Sequence, residues 1–299
     1  MLDVRRLRLL HELKVRGTLS AVAAASNLSP SAVSQQLTQL ELDVGVELLR
    51  KAGRGVQLTQ QAEILIEHTG IVLEQLERAE ADLAASLNTV TGTVRVAIFQ
   101  SAAIALVPQF LSIIGREYPE LRIELTQLEP PLANYETWSR DFDVVVRQQF
   151  PGETVPHVPE LDVLPLMVDS LRLGVPLARS PWSEIRSLSD AATAPWAMEP
   201  RGVASRVWAE EACRQAGFKP DVRYEVTDLQ TQTELIESGH AVAMIPDLFA
   251  RNHGSTIRFI DLPGLPQRNI FTSVRRSMTM SPRLRVCREV LTRVARDDP

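Results

Sequence analysis

Residues 20–59 read SAVAAASNLSPSAVSQQLTQLELDVGVELLRKAGRGVQLT, and the middle of this stretch decides the fold of the N-terminal part. Ser29 is a favoured N-cap and Pro30 occupies the first helical position, where its missing N–H costs nothing. No Glu or Gln stands at the reciprocal capping-box position, which is Ala32. Val33, Leu37, Leu40 and Val44 then follow the i, i+4, i+7, i+11 spacing of a buried helical face. The opposite face carries Ser31, Gln35 and Thr38, flanked by Ser34 and Gln39. These are uncharged hydrogen-bonding side chains, where a merely solvated face more commonly carries Lys and Glu. Gln pairs bidentately with adenine in the major groove, so the pattern predicts a recognition helix.

The flanks support that reading. Val4, Leu7, Leu10 and Leu13 share one face of a first helix, which Gly17 stops. Residues 19–25 form a short alanine-rich second helix whose small side chains permit close crossing. A tight turn at 26–28 is expected to bury Leu28 between helices. Beyond the recognition helix, 48–58 read as a glycine-tipped hairpin that places Arg50, Lys51 and Arg54 against phosphates or in the minor groove. Gly53-x-Gly55 is not a dinucleotide fingerprint, because it lacks the third glycine and the preceding strand.

Charge is divided along the chain. The whole has 32 Lys/Arg against 37 Asp/Glu, net −5, which argues against general coating of nucleic acid. Residues 1–60, however, hold eight basic and five acidic side chains, and residues 61–90 hold six acids and only Arg78. Within that acidic stem Leu58, Ala62, Leu65, Thr69, Val72, Leu76, Ala79 and Leu83 are spaced alternately by four and three, a heptad seam. The narrow stripe favours a dimerising helix over one packed solely on its own domain, although Thr69 and the alanines weaken it.

The remainder has a different character. Pro30 is the only proline before Pro108, and no Phe, Tyr or Trp precedes Phe99. From Thr93 onward short apolar runs alternate with helical stretches: strands at 94–98, 121–128, 143–147, 171–175, 196–198, 222–226, 241–245 and 257–260, and helices at 102–116 and 283–296. This alternation predicts a parallel sheet in an α/β domain. With 299 residues the chain has room for two or three domains.

Other chemistries find little support. His11, His68, His157, His240 and His253 lack metal-ligand spacing, and neither a Gly-x-Ser-x-Gly elbow nor a Walker loop occurs. No enzyme activity, cofactor or metal is therefore expected. Cys213 and Cys287 cannot build a disulfide framework; buried inert thiols are favoured over a redox switch. The longest apolar runs, such as 102–107, fall far short of the roughly 18 residues that span a bilayer. Arg5, Arg6 and Arg8 ahead of 19–25 mimic a signal peptide, but Lys14, Ser20, Ser26 and Asn27 interrupt it, so a cytoplasmic location is expected.

The run from Leu7 through Thr59 resembles the winged helix-turn-helix of the LysR-type transcriptional regulators. The family's alanine pair falls on Ala23-Ala24, its serine on Ser34, its Leu-Glu on Leu40-Glu41 and its glycine on Gly45. GTVRVAI at 92–98 resembles its first effector-domain strand and LIESGHAVAMIP at 235–246 a late one, so the likeness covers essentially the whole chain. Departures are Pro30 for a common glutamine, Leu49 for the wing phenylalanine, and Gln61-Ala62 for Ala-Gly.

The resemblance implies a winged helix-turn-helix over 1–60, a dimerising linker helix over 61–91 and an effector-binding domain over 92–299. That last part would be a two-lobed, periplasmic-binding-protein-like α/β domain. Lobe one would take 92–165 and 266–299 and lobe two 166–265, with a hinge near 164–166 and 262–266. Cleft residues would be Gln100, Ser101, Arg147, Gln148, Arg201, Gly202, Thr227 and Asp228, although Ser101 could instead cap its helix. Arg147 and Arg201 suggest an anionic effector, unless they are solvated or form interlobe salt bridges. The implied function is sequence-specific transcriptional regulation modulated by a small molecule. Implied partners are an operator of partial dyad symmetry in double-stranded DNA, a second copy in a homodimer or homotetramer, and the transcription machinery, with no membrane. The alternatives are a thiol-based redox regulator and a ligand-binding α/β protein with a non-functional head.

Overall fold

The computed structural model describes residues 2–53, 55–87, 89–128, 140–154, 158–177, 180–251 and 257–297. Arg54, His157 and His253 lie outside them. The chain separates into two compact units, one comprising 1–88 with 136–140 and 277–282, the other comprising the rest.

In the first unit the first three helices are each bounded by local start and stop signals. Helix α1 (Val4–Arg16) is capped by the Asp3 carboxylate and ended by Gly17 in the left-handed conformation. Helix α2 (Leu19–Ser26) starts on the Thr18 hydroxyl and ends at Asn27, also left-handed. Helix α3 (Pro30–Val44) starts on Ser29 and ends at left-handed Gly45. Strands β1 (Leu49–Ala52) and β2 (Gly55–Leu58) pair antiparallel as the wing, and α4 (Gln60–Ala85) follows.

Leu10, Leu13, Val22, Val33, Leu37, Leu40, Leu48 and Ala62 make one core from all four helices and the wing's root. Two expectations change here. Val4 is exposed and Leu9 is buried in its place, so the core face of α1 begins a turn later. Leu28 is 43% exposed rather than buried, because the turn after left-handed Asn27 carries it out of the helix crossing.

The seam of α4 also divides. Ala62, Ile66, Thr69 and Leu73 are buried, whereas Ile64, Ile71, Val72, Leu76 and Leu83 are exposed. Ala62 and Thr69 therefore belong to the face this helix turns toward its own unit, and Val72, Leu76 and Leu83 to an uncovered one.

The second unit is built on a seven-stranded sheet of order β10-β6-β11-β5-β3-β4, with β9 added to β6. Its strands are β3 (Gly92–Ile98), β4 (Leu121–Gln127), β5 (Val144–Gln149), β6 (Leu161–Pro176), β9 (Ala243–Pro246), β10 (Ile257–Asp261) and β11 (Gln267–Arg275). β7 (Pro195–Met198) and β8 (Asp221–Glu225) form a separate parallel pair. The helices are α5 (Gln100–Glu117), α6 (Ala204–Gln215), α7 (Leu229–Glu237) and α8 (Pro282–Asp297), and Asp247–Ala250 makes a single turn.

The sheet is mixed, not parallel as the alternation suggested. β3 pairs parallel with β4 and β5, while β6 and β11 run antiparallel to every partner. The cause is the long β6. Its first part, to Ser170, pairs with β11; from Leu171 it pairs with β9 and β10. One continuous strand thus serves two sets of partners and passes from one to the other after Ser170. The chain returns through 262–266, where the Leu171 N–H donates to the Pro266 carbonyl.

Candidate functional site

Helix α3 presents Ser31, Ser34, Gln35, Thr38 and Gln39 to solvent, all from the face opposite buried Val33, Leu37 and Leu40. Two are partly engaged within the helix: the Ser31 hydroxyl lies 2.9 Å from that of Ser29, and the Gln39 amide donates to Asp43 at 3.1 Å. The helix is fixed by Arg6 of α1, which donates to the Gln36 side chain at 3.1 Å and pairs with Asp43.

The wing is aimed by Glu41. One of its carboxylate oxygens accepts the N–H groups of Leu48 and Leu49 at 2.8 and 2.9 Å, tying α3 to the start of β1. At the other end the Thr59 hydroxyl donates to the Glu47 carbonyl at 2.8 Å and accepts from the Ala62 N–H, so one residue closes the wing and caps α4. Gly53 adopts φ 58° at the tip. Arg50 pairs with Glu47 at 3.2 Å with both side chains well exposed, an arrangement that a phosphate can exchange at little cost. Lys51 is exposed.

In the second unit the eight expected cleft residues divide into those brought together and those not. Gln100 opens α5 and reaches across to the start of α7: its side-chain oxygen accepts the Leu229 N–H at 3.0 Å, and its amide donates to the Asp228 carboxylate. Asp228 itself caps α7, accepting the Thr231 N–H at 2.8 Å and its hydroxyl at 2.7 Å. Those bonds hold its carboxyl below the ordinary range.

Ser101 does not cap α5, whose N-cap is Phe99; its buried hydroxyl accepts from Arg268 at 2.7 Å. Gln148 also accepts from Arg268. Arg147, its neighbour on β5, lies on the other face by strand alternation and sits beside Glu153, whose charge opposes the downward pull of burial on its guanidinium. Arg201 and Gly202 are exposed in the turn after β7, and Thr227 is exposed beside Asp228. The two arginines that suggested an anionic effector are therefore not part of the assembled group.

The residues that organise it went unnoticed in the sequence. Arg268 on β11 and Asp169 on β6 face each other in register, with an N–O separation of 2.6 Å and relative side-chain exposures of 3% and 1%. The second Asp169 oxygen accepts the Leu248 N–H at 2.9 Å, and the Phe99 ring lies 5.1 Å below the guanidinium. Burial pushes the Asp169 carboxyl up, and the Arg268 charge opposes it. Glu199, after β7, is also pushed up by burial; it accepts from the Ser205 hydroxyl and feels the charge of Arg268. Asp169 amid the mainly apolar residues of β6 was the available signal, but only the β6–β11 register reveals the partner.

Cys213 and Cys287 are both free and buried, and burial pushes each thiol up to about 12. Among the described residues no cluster of His, Cys, Asp or Glu could hold a metal, and no helix is long and apolar enough to cross a membrane.

Comparison with known proteins agrees with this architecture at both ends. Residues 4–63 match the family model of the bacterial regulatory helix-turn-helix protein, lysR family, and residues 87–296 that of the LysR substrate binding domain. The transcriptional dual regulator GltC of Bacillus subtilis is 26% identical over 246 residues, covering 82% of this chain and 81% of its own. Among solved structures, full-length OxyR from Pseudomonas aeruginosa superposes with a TM-score of 0.68 at 19% identity, covering 100% of this chain and 99% of that one. Full-length CbnR complexed with its target DNA gives 0.52 at 21% identity, covering 98% and 99%. A winged head with a polar, solvent-facing third helix, joined by a long helix to a matched substrate-binding domain, has one assignment: the chain belongs to the LysR family of transcriptional regulators.

Proposed function

We propose that this LysR-type regulator reads its operator through Ser31, Ser34, Gln35, Thr38 and Gln39 of α3, with Arg50, Lys51 and Arg54 engaging the backbone. The observation that carries the reading is the exposed, uncharged face of α3, held in place by the Arg6 bonds to Gln36 and Asp43. Base edges demand side chains of this kind, and phosphates demand the cations of the wing. The DNA partner of CbnR supports the same use of this head. Two copies bind an operator of partial dyad symmetry, with half-sites about one helical turn or a multiple apart.

The second copy is held by the uncovered face of α4, where Val72, Leu76 and Leu83 stand in solvent. Dimers or tetramers built this way act in the cytoplasm on the transcription machinery, and the chain acts as a regulator, not an enzyme.

The effector is a small molecule bound between the lobes, near Gln100, Ser101, Gln148, Asp228 and Glu199. Arg268 is already balanced by Asp169, with Glu199 within electrostatic reach, so the group favours a polar effector rich in hydrogen-bond donors over a multiply charged anion. Thermal shift of the full chain against matched amines, amides and dicarboxylates tests this; stabilisation by dicarboxylates alone would return the anionic class. The redox alternative is disfavoured by the two buried, weakly acidic thiols.

A further inference from the structure

Gln100 bridges two parts of the second unit by hydrogen bonds. It lies at the first position of α5, directly after β3, in the part of the sheet where β11 and β5 also lie. Its partners, Asp228 and Leu229, follow β8 and begin α7 in the other part. The carboxamide is matched on both sides: its oxygen takes a backbone N–H that α7 leaves without a partner inside the helix, and its nitrogen gives a proton to the carboxylate that caps the same helix. A side chain 128 residues distant in sequence thus completes the α7 N-terminus.

We propose that Gln100 is an interlobe latch, holding the α7 end of lobe two against the α5 end of lobe one. Closure is then a property of the chain itself, and an effector acts by exchanging its own groups for the Gln100 carboxamide. Another tie is the Arg268–Asp169 pair at the hinge, whose further bonds run to Ser101 and to the Leu248 N–H, and α5 also packs on the turn Asp247–Ala250. That pair is buried and shared by several elements, whereas the Gln100 bridge is only part-buried and rests on a single side chain. The latch is therefore the tie that can be released without dismantling the hinge. It rests on the two-lobed reading of the domain and on no particular effector.

The test uses the full-length protein with spin labels on Gln109→Cys of α5 and Lys219→Cys, both at exposed positions, the native thiols being buried. With no ligand added, Gln100→Ala is expected to lengthen and broaden the inter-label distance distribution. Exchange of the Leu229 amide should rise about tenfold, as expected for one lost hydrogen bond, while the Thr231 amide keeps its protection from Asp228. Gln100→Glu sets two carboxylates face to face and should open the lobes further. Gln100→Glu combined with Asp228→Asn reverses the acid and the amide and should restore the wild-type distance, a rescue that general destabilisation would not give. Unchanged distances and Leu229 exchange in Gln100→Ala, or no recovery in the swapped pair, would overturn the latch. Neither result depends on whether an effector is ever found, so failure of the latch is separable from failure of the effector reading.

Discussion

Arg268 and Asp169 stand opposite one another on neighbouring strands, 99 residues apart in sequence, with both side chains almost wholly removed from water. β6 changes partners one residue after Asp169. The pair therefore sits beside the point where β6 passes from one set of partners to the other, and further bonds run from it to Ser101 and Gln148 on one side and Leu248 on the other. Removing one member leaves the other charge buried and uncompensated. Arg268→Met should cost about 3–5 kcal/mol in urea unfolding of the second unit, and Arg268→Met with Asp169→Leu should recover most of it. A single substitution costing no more than the double would contradict this account.

His11 gives the first unit a pH dependence. Burial, reinforced by the nearby Arg140 guanidinium and opposed by Glu12, depresses its pKa from 6.5 to about 4. The folded unit keeps the ring neutral while the unfolded chain protonates first. The stability involved is present above pH 6.5 and is lost as the pH falls toward 4, by about 3 kcal/mol in all. Unfolding of wild type and His11→Gln at pH 7.5 and 5 checks it: the slope should shrink in the variant.

On α4 the two faces should respond differently. Leu76→Glu or Val72→Glu, at exposed positions, should raise the dimer dissociation constant by at least about tenfold in sedimentation, with the head still folded. Ala62→Glu, at a fully buried position, should instead unfold the head.

The cysteines should be silent. With both thiols pushed up to about 12, hardly any thiolate exists at neutral pH. Cys213→Ser and Cys287→Ser are each expected to leave DNA binding unchanged before and after peroxide. Loss of an oxidant response in either would revive the redox reading.

Local signals carried most of the head. Ser29 with Pro30, and the glycines at 17 and 45, mark helix ends because caps and left-handed residues act within a few positions. Leu28 failed because its burial depends on how the turn at Asn27 directs it, which spacing does not encode. The heptad of α4 was legible as a stripe, but periodicity cannot say that α1 covers half of it. In the second unit the strands at 94–98 and 143–147 announced themselves as β-branched runs. The strand 267–275 and the full length of β6, which passes through Pro165, did not. The Arg268–Asp169 pair required a register between distant strands and was out of reach of any motif.

A sequence-reading α3 and a charge-reading wing should separate in DNA binding. The most direct measurement is a titration of wild type, Gln35→Ala and Lys51→Ala at two salt concentrations. The targets are duplex DNA from immediately upstream of the protein's own gene and a scrambled duplex. Wild type should discriminate roughly 10³-fold or more, with steep salt dependence. Gln35→Ala should lose about 1–3 kcal/mol on the cognate duplex alone. Lys51→Ala should weaken both duplexes and lower the salt slope by about one. Equal binding of both duplexes by wild type, or a Gln35→Ala loss of the same size on each, would contradict that separation.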